Sequence, residues 1–169
     1  MTSTADAVAR ETAWLTTSGD SLPSLLSSAG GPWDVIAAYT QGAQTRTQAT
    51  AIYVTRGRVQ QFRVANQRLR PRYPMRLELR WPVRQISPGS SSISAVEQQA
   101  FDDAIELLRQ RVTGPLGDKT HGGRFLSVAE VKGAPGFDVQ YENAAATVKA
   151  DKEVRATALY FIDDFEINA

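Results

Sequence analysis

From Met75 to Val83, the residues Met75, Leu77, Leu79, Trp81 and Val83 alternate without a miss against Arg76, Glu78 and Arg80. A period of two sends successive side chains to opposite faces, so this segment predicts a strand with one face in a core. The other face meets water or a partner. A second segment carries the helical period instead. Ser94 followed by Glu97 matches a capping box, and Val96, Ala100, Phe101, Ala104, Ile105, Leu108 and Val112 then recur at three- and four-residue steps. Gly114-Pro115 ends the pattern. A chain bound by both periods has to lay an amphipathic helix, over about 94–112, on a sheet.

The remaining signals are shorter. A helix is expected over Ala5 to Leu15, with Val8, Thr12 and Leu15 on one face, and a second short one around Leu22 to Ser27. Gly30-Gly31-Pro32 breaks the chain before an extended run from Trp33 to Tyr39. Ile52 and Val54 alternate with Tyr53 and Thr55, and a turn follows at Arg56-Gly57-Arg58. Further strands are expected at Arg124 to Val131, Phe137 to Tyr141 and Val154 to Ile162. The order predicts an α+β fold, a mixed or antiparallel sheet with helices packed on one face. At 169 residues it reads as a single domain, with an N-terminal helical or irregular segment over 1–48 and the sheet plus main helix over 49–169.

Composition removes some chemistry. Without cysteine there are no disulfides, thiolate nucleophiles or cysteine metal sites. No basic leader with an apolar run and no run of about 18 apolar residues is visible, so neither a signal peptide nor a membrane span is expected. Charge is more informative by position than in total, since the net value is only +1. Between Arg56 and Arg84 stand nine arginines against Glu78 alone, while residues 137–169 carry seven acids against three bases. Arginines interleaved with Phe62, Tyr73 and Trp81 suit nucleic acid. The overall balance falls short of that signature, and pairing between subunits fits the opposed charges better. The stretch from Gly57 to Tyr73 reads as a long polar connection, a candidate for ordering on binding.

The only histidine lies in GDKTHGGRFL, residues 117–126. Thr120 or Ser127 as nucleophile, His121 as base and Asp118 as its orienter would make a catalytic set, but no strained nucleophile elbow accompanies them. Lys119-Thr120 lacks the phosphate-loop frame because Asp118 stands where a glycine is required. No metal-ligand spacing surrounds His121, and the pairs Asp102-Asp103 and Asp163-Asp164 read as solvated faces. The expectation is a joint between helix and strand, in which Gly122 and Gly123 permit a tight path and Asp118, Lys119, His121 and Arg124 are presented at a surface. Neither enzyme activity nor a cofactor is expected.

Taken together, AIYV, QRLRPRYPMRLELRWPV, the helix EQQAFDDAIELLRQRVTGPLGDKTHGGRFLSV and the ending VRATALYFIDDFEINA resemble the tail terminator class among the neck and tail-end proteins of long-tailed bacteriophages. The resemblance covers about residues 49–169. It implies an α+β subunit of a homohexameric ring in the virion neck, assembled in the host cytoplasm, that caps the tail tube and halts its polymerisation. The implied partners are further copies of the chain, the tail tube protein and a head-tail connector or stopper, with DNA passing through the lumen without sequence-specific binding. No catalytic residue is implied. Interface candidates are Arg68, Arg70, Arg72, Arg76, Arg80, His121 and Arg124, with Asp163, Asp164 and Glu166 as acidic partners. Another connector, stopper or tail completion protein, or an arginine-rich nucleic-acid-binding module, are the alternatives.

Overall fold

A computed structural model describes residues 4–16, 35–39, 51–56, 59–82, 94–114, 118–130, 132–133, 135–142 and 153–168. The expected helix at Leu22 to Ser27 and the break at Gly30-Gly31-Pro32 lie outside them. Along the chain run α1 (Thr4–Leu15), β1 (Val35–Tyr39), β2 (Ala51–Arg56), β3 (Gln60–Ala65), β4 (Arg68–Pro82), α2 (Ala95–Thr113), β5 (Ser127–Val128), β6 (Phe137–Tyr141), β7 (Glu153–Asp163) and β8 (Ile167–Asn168). The strands form one sheet whose main path is β1-β2-β4-β7-β5, with β3 and β8 on β4 and β6 on β7. Only β1 against β2 is parallel; the other pairs are antiparallel.

The centre is β4 against β7. Their register sets Tyr73 opposite Ile162, Met75 opposite Tyr160, Leu77 opposite Ala158, Leu79 opposite Ala156 and Trp81 opposite Val154. All ten of these side chains are buried, so the expected alternation is real and its period carries into the partner strand. Both helices cover this face. From α1, Glu11 reaches Tyr160; from α2, Phe101 meets Trp81 edge to face at 5.5 Å. Small residues Ala156 and Ala158 lie opposite Leu79 and Leu77, leaving room for the helices to approach.

The main helix begins where its cap requires. Ser94 is extended and its side chain accepts from the Glu97 backbone N–H at 3.3 Å, while Gly114 closes the far end at φ 54 with its N–H on the Gln110 carbonyl. Glu97 itself turns inward and accepts from Trp81 Nε1 at 3.2 Å. Val96, expected on the apolar stripe, is instead 76% exposed. It sits in the first turn beside Glu97, and the stripe that the sheet accepts runs through Phe101, Ala104, Ile105, Leu108 and Val112.

Two further expectations change. The stretch from Gly57 to Tyr73 is no featureless connection: β3 folds back on β4 through Asn66-Gln67, with Ala65 opposite Arg68. Strand β4 therefore begins seven residues before the alternation becomes obvious, and passes Pro71 and Pro74. On one edge β3 covers residues 68–72 and β2 covers 75–79, so Pro74 falls between them, where a strand tolerates a missing N–H. The expected strand from Arg124 to Val131 contracts to Ser127–Val128. Ala129 takes a positive φ of 57, which bends the chain out of the ladder.

Candidate interaction surface and the buried histidine network

The histidine loop leaves α2 and returns to β7. Asp118 organises its start, accepting from the Thr120 N–H at 3.0 Å, the Thr120 hydroxyl at 2.7 Å and the Gly122 N–H at 2.6 Å. Those bonds, the Thr120 hydroxyl first, hold the Asp118 carboxyl below its ordinary value. His121, Gly122 and Gly123 then follow one another at φ 51, 71 and 74. Two glycines accept the left-handed path without strain, and the one residue with a Cβ is anchored by its side chain.

That anchoring corrects the expectation for His121, which is not presented at a surface but fully buried. Its Nδ1 lies 2.7 Å from Glu11 Oε2 and its Nε2 lies 3.0 Å from the Val112 carbonyl oxygen. The Val112 carbonyl can only accept, so Nε2 carries the N–H that meets it. The other Glu11 oxygen accepts from the Tyr160 hydroxyl at 2.6 Å. The ring stacks on Trp14 at 3.5 Å and 4°. Burial, joined by the charge of Glu11, pushes the Tyr160 phenol well above its ordinary value and keeps it a donor. Asp118 does not orient His121, and Thr120 is engaged with Asp118. The imidazole that a catalytic set would need thus has both nitrogens spent inside the protein.

The acidic candidates are also reassigned. Asp163 and Asp164 are buried rather than solvated, because successive positions at the end of β7 face opposite sides of the sheet. Asp163 takes a two-pronged bond from Arg72, Nε to Oδ1 at 2.5 Å and Nη2 to Oδ2 at 2.8 Å. That hydrogen bonding, more than burial opposes it, raises the Arg72 guanidinium above its ordinary value. Arg72 also lies 4.8 Å over the Phe62 ring. Asp164 faces α1 and is held by Arg10 through its two terminal guanidinium nitrogens, at 3.1 and 2.5 Å. Burial works against the Arg10 cation, and Asp164 outweighs it, leaving Arg10 raised. Arg10 reaches the Arg124 carbonyl as well, and Arg124 Nη1 donates to the His121 carbonyl at 3.2 Å.

Farther out, Glu166 accepts from Arg70 at 3.0 Å and Arg68 at 3.4 Å, and these partners, Arg70 first, hold it below its ordinary value. Arg76 is exposed and pairs with Glu78 at 3.4 Å. Arg80 stands opposite Arg155 in the β4/β7 register, and its side chain lies outside the described set. The basic and acidic segments singled out in the sequence do therefore meet, but within one chain: Arg68, Arg70 and Arg72 face Glu166 and Asp163 across the end of the sheet.

What remains outward is β3. All six of its side chains are exposed, among them Phe62 at 43% and Val64 at 46%, with Val59 just before the strand at 39%. The register between β2 and β4 sums one residue lower than that between β3 and β4, so Val54 points to the core and Phe62 to the opposite face. A one-residue shift of this kind was invisible in the sequence. Glu11, the other residue missed, did leave a signal: it occupies the 8, 11, 15 stripe of α1, where an acid is out of place unless it has a buried partner.

Among the described residues no group of three or more His, Asp or Glu side chains converges as a metal site, and no helix is long and apolar enough to cross a membrane. The sequence matches no protein-family model, and no curated protein is significantly similar to it.

Proposed function

We propose that this chain is a virion structural protein, a tail terminator whose copies form a ring that caps the tail tube, stops its polymerisation and provides the docking surface for the head connector. The observation that supports this reading is β3, an edge strand with six exposed side chains and exposed apolar residues at 59, 62 and 64. Such an edge invites another chain to pair with it, and a solitary protein usually blunts it with lysine or proline. Neither residue type occurs in QQFRVA. A closed ring would cover its own edges and offer the tube no further copy of the growing surface.

The nucleic-acid alternative is the weaker reading, because Arg68, Arg70 and Arg72 are engaged by Glu166 and Asp163, acids with which phosphate would have to compete. Catalysis at His121 is weakened by its enclosure. Native mass spectrometry and electron microscopy of the purified protein, alone and with tail tubes, test the proposal. A sixfold ring at the head-proximal end of the tube is the expected result; a persistent monomer that never joins a virion would overturn it.

A further inference from the structure

We infer that copies of this chain join edge to edge, with β3 of one copy adding antiparallel to β6 of the next. This rests on the reading of the chain as a ring-forming structural protein and specifies which surfaces meet. Among the described strands β3 pairs only with β4, and β6 only with β7. Because β4 and β7 are neighbours, β3 and β6 are free edges on opposite flanks of one sheet. Strand directions alternate through β3, β4, β7 and β6. A second copy laid alongside with its helices on the same side therefore presents its β6 antiparallel to β3, and the alternation continues unbroken. Two different edges make a head-to-tail contact, the kind that closes into a ring.

The levels of the two edges fit as well. β3 lies beside residues 68–72 of β4, whereas β6 lies beside residues 156–160 of β7, which stand opposite 75–79 of β4. Residues opposed across a ladder share a face, so the joined edges take an even offset of about six residues, which sets Gln60 against Gln140 and Phe62 against Asp138 and displaces the second copy by roughly 20 Å at the rise of an extended strand. That displacement carries its sheet clear of β1, which occupies the flank beside β2. Repeated around a circle, such a stagger closes only if the strands tilt against the ring axis, as they do in barrels.

The edges are opposite in net charge, with Arg63 on the helix face of β3 and Asp138 on the far face of β6. β3 brings Phe62, Val64 and Arg63, all exposed, and no acid. β6 brings the exposed Asp138 and Tyr141, followed by the exposed Glu142. Their lengths match, six residues against five, and β6 like β3 contains neither lysine nor proline. Gln60 and Phe62 lie on the face of the sheet away from the helices, opposite Arg72 and Arg70; Asp138 and Gln140 lie on that same face, opposite Leu159 and Thr157.

A charge swap on that face tests the pairing. One variant carries Gln60→Glu with Phe62→Glu, and the other Asp138→Lys with Gln140→Lys; all four positions except Phe62 are polar, and all are exposed. The first variant alone sets two carboxylates against Asp138 of the next copy, and the second removes that acid and sets two ammonium groups against the neutral Gln60 and the apolar Phe62, so native mass spectrometry is expected to find each at the monomer mass of 18.5 kDa, with association weakened at least about tenfold. Mixed in equal amounts, the two set carboxylates against ammonium groups at every second contact and keep the wild-type contact at the others, so assembly is expected to return with alternating subunits. Unchanged circular dichroism of each variant, and the single substitutions Phe62→Glu and Asp138→Lys, separate lost pairing from lost folding. A wild-type chain that stays monomeric would overturn both this pairing and the ring. A wild-type assembly that both folded variants still form, or that mixing fails to recover, would overturn the pairing alone.

Discussion

Removing the Glu11 carboxylate strands two buried donors, the Tyr160 hydroxyl at 2.6 Å and His121 Nδ1 at 2.7 Å. Each buried donor left without an acceptor costs about 1–3 kcal/mol, so Glu11→Ala is expected to destabilise the fold by ~4 kcal/mol. Glu11→Gln behaves differently. Its amide oxygen still accepts from Tyr160, its NH2 group donates to Nδ1, and the ring keeps its N–H on the Val112 carbonyl. Every polar atom stays paired without a charge, and the expected loss is ~1 kcal/mol or less. In a chain of this size each kcal/mol moves the melting midpoint by about 2–4 °C, so the alanine variant should melt ~12 °C lower and the glutamine variant only a few degrees lower. Urea unfolding read by circular dichroism checks both, with a shifted midpoint at constant slope. If glutamine proves as damaging as alanine, the charge rather than the hydrogen-bonding pattern holds α1 to the sheet. If alanine costs under ~1 kcal/mol, the network does not anchor the helix at all.

Three other outcomes follow from the same geometry. Arg72→Lys replaces a fork that grips both oxygens of the buried Asp163 with a single point of charge, and should cost ~2 kcal/mol in urea unfolding. Gly136→Ala would drive its Cβ into the Ala129 carbonyl, a backbone atom that cannot swing aside, and is expected to lose about 1–3 kcal/mol. Asp118 is held below its ordinary value, so its contribution is present above about pH 4, the usual range for an aspartate, and is lost as pH falls through its lower folded value. Wild type should therefore lose stability on acidification below about pH 4 more steeply than Asp118→Asn, and equal slopes in the two urea series would contradict the role given to this carboxylate.

Local periodicity carried much of the fold into the sequence. The β4 alternation, the α2 stripe with its Ser94 and Gly114 ends, β6 and β7 are legible because each element buries one face, and a buried face imposes its repeat on consecutive residues. What tertiary structure decided involves residues far apart in the chain. His121 and Glu11 are separated by 110 positions, and although an acid on the α1 stripe asks for a buried partner, nothing local to either residue says that the partner is this loop histidine. Asp163 and Asp164 read as a solvated pair because adjacency hides that one points to Arg72 and the other to Arg10 on opposite sides of the sheet. The opposed charges of the arginine segment and the acidic end were visible as composition. That Arg68, Arg70 and Arg72 of the one meet Glu166 and Asp163 of the other within the chain depends on β4 and β7 running antiparallel, a pairing set by long-range burial rather than by any local repeat.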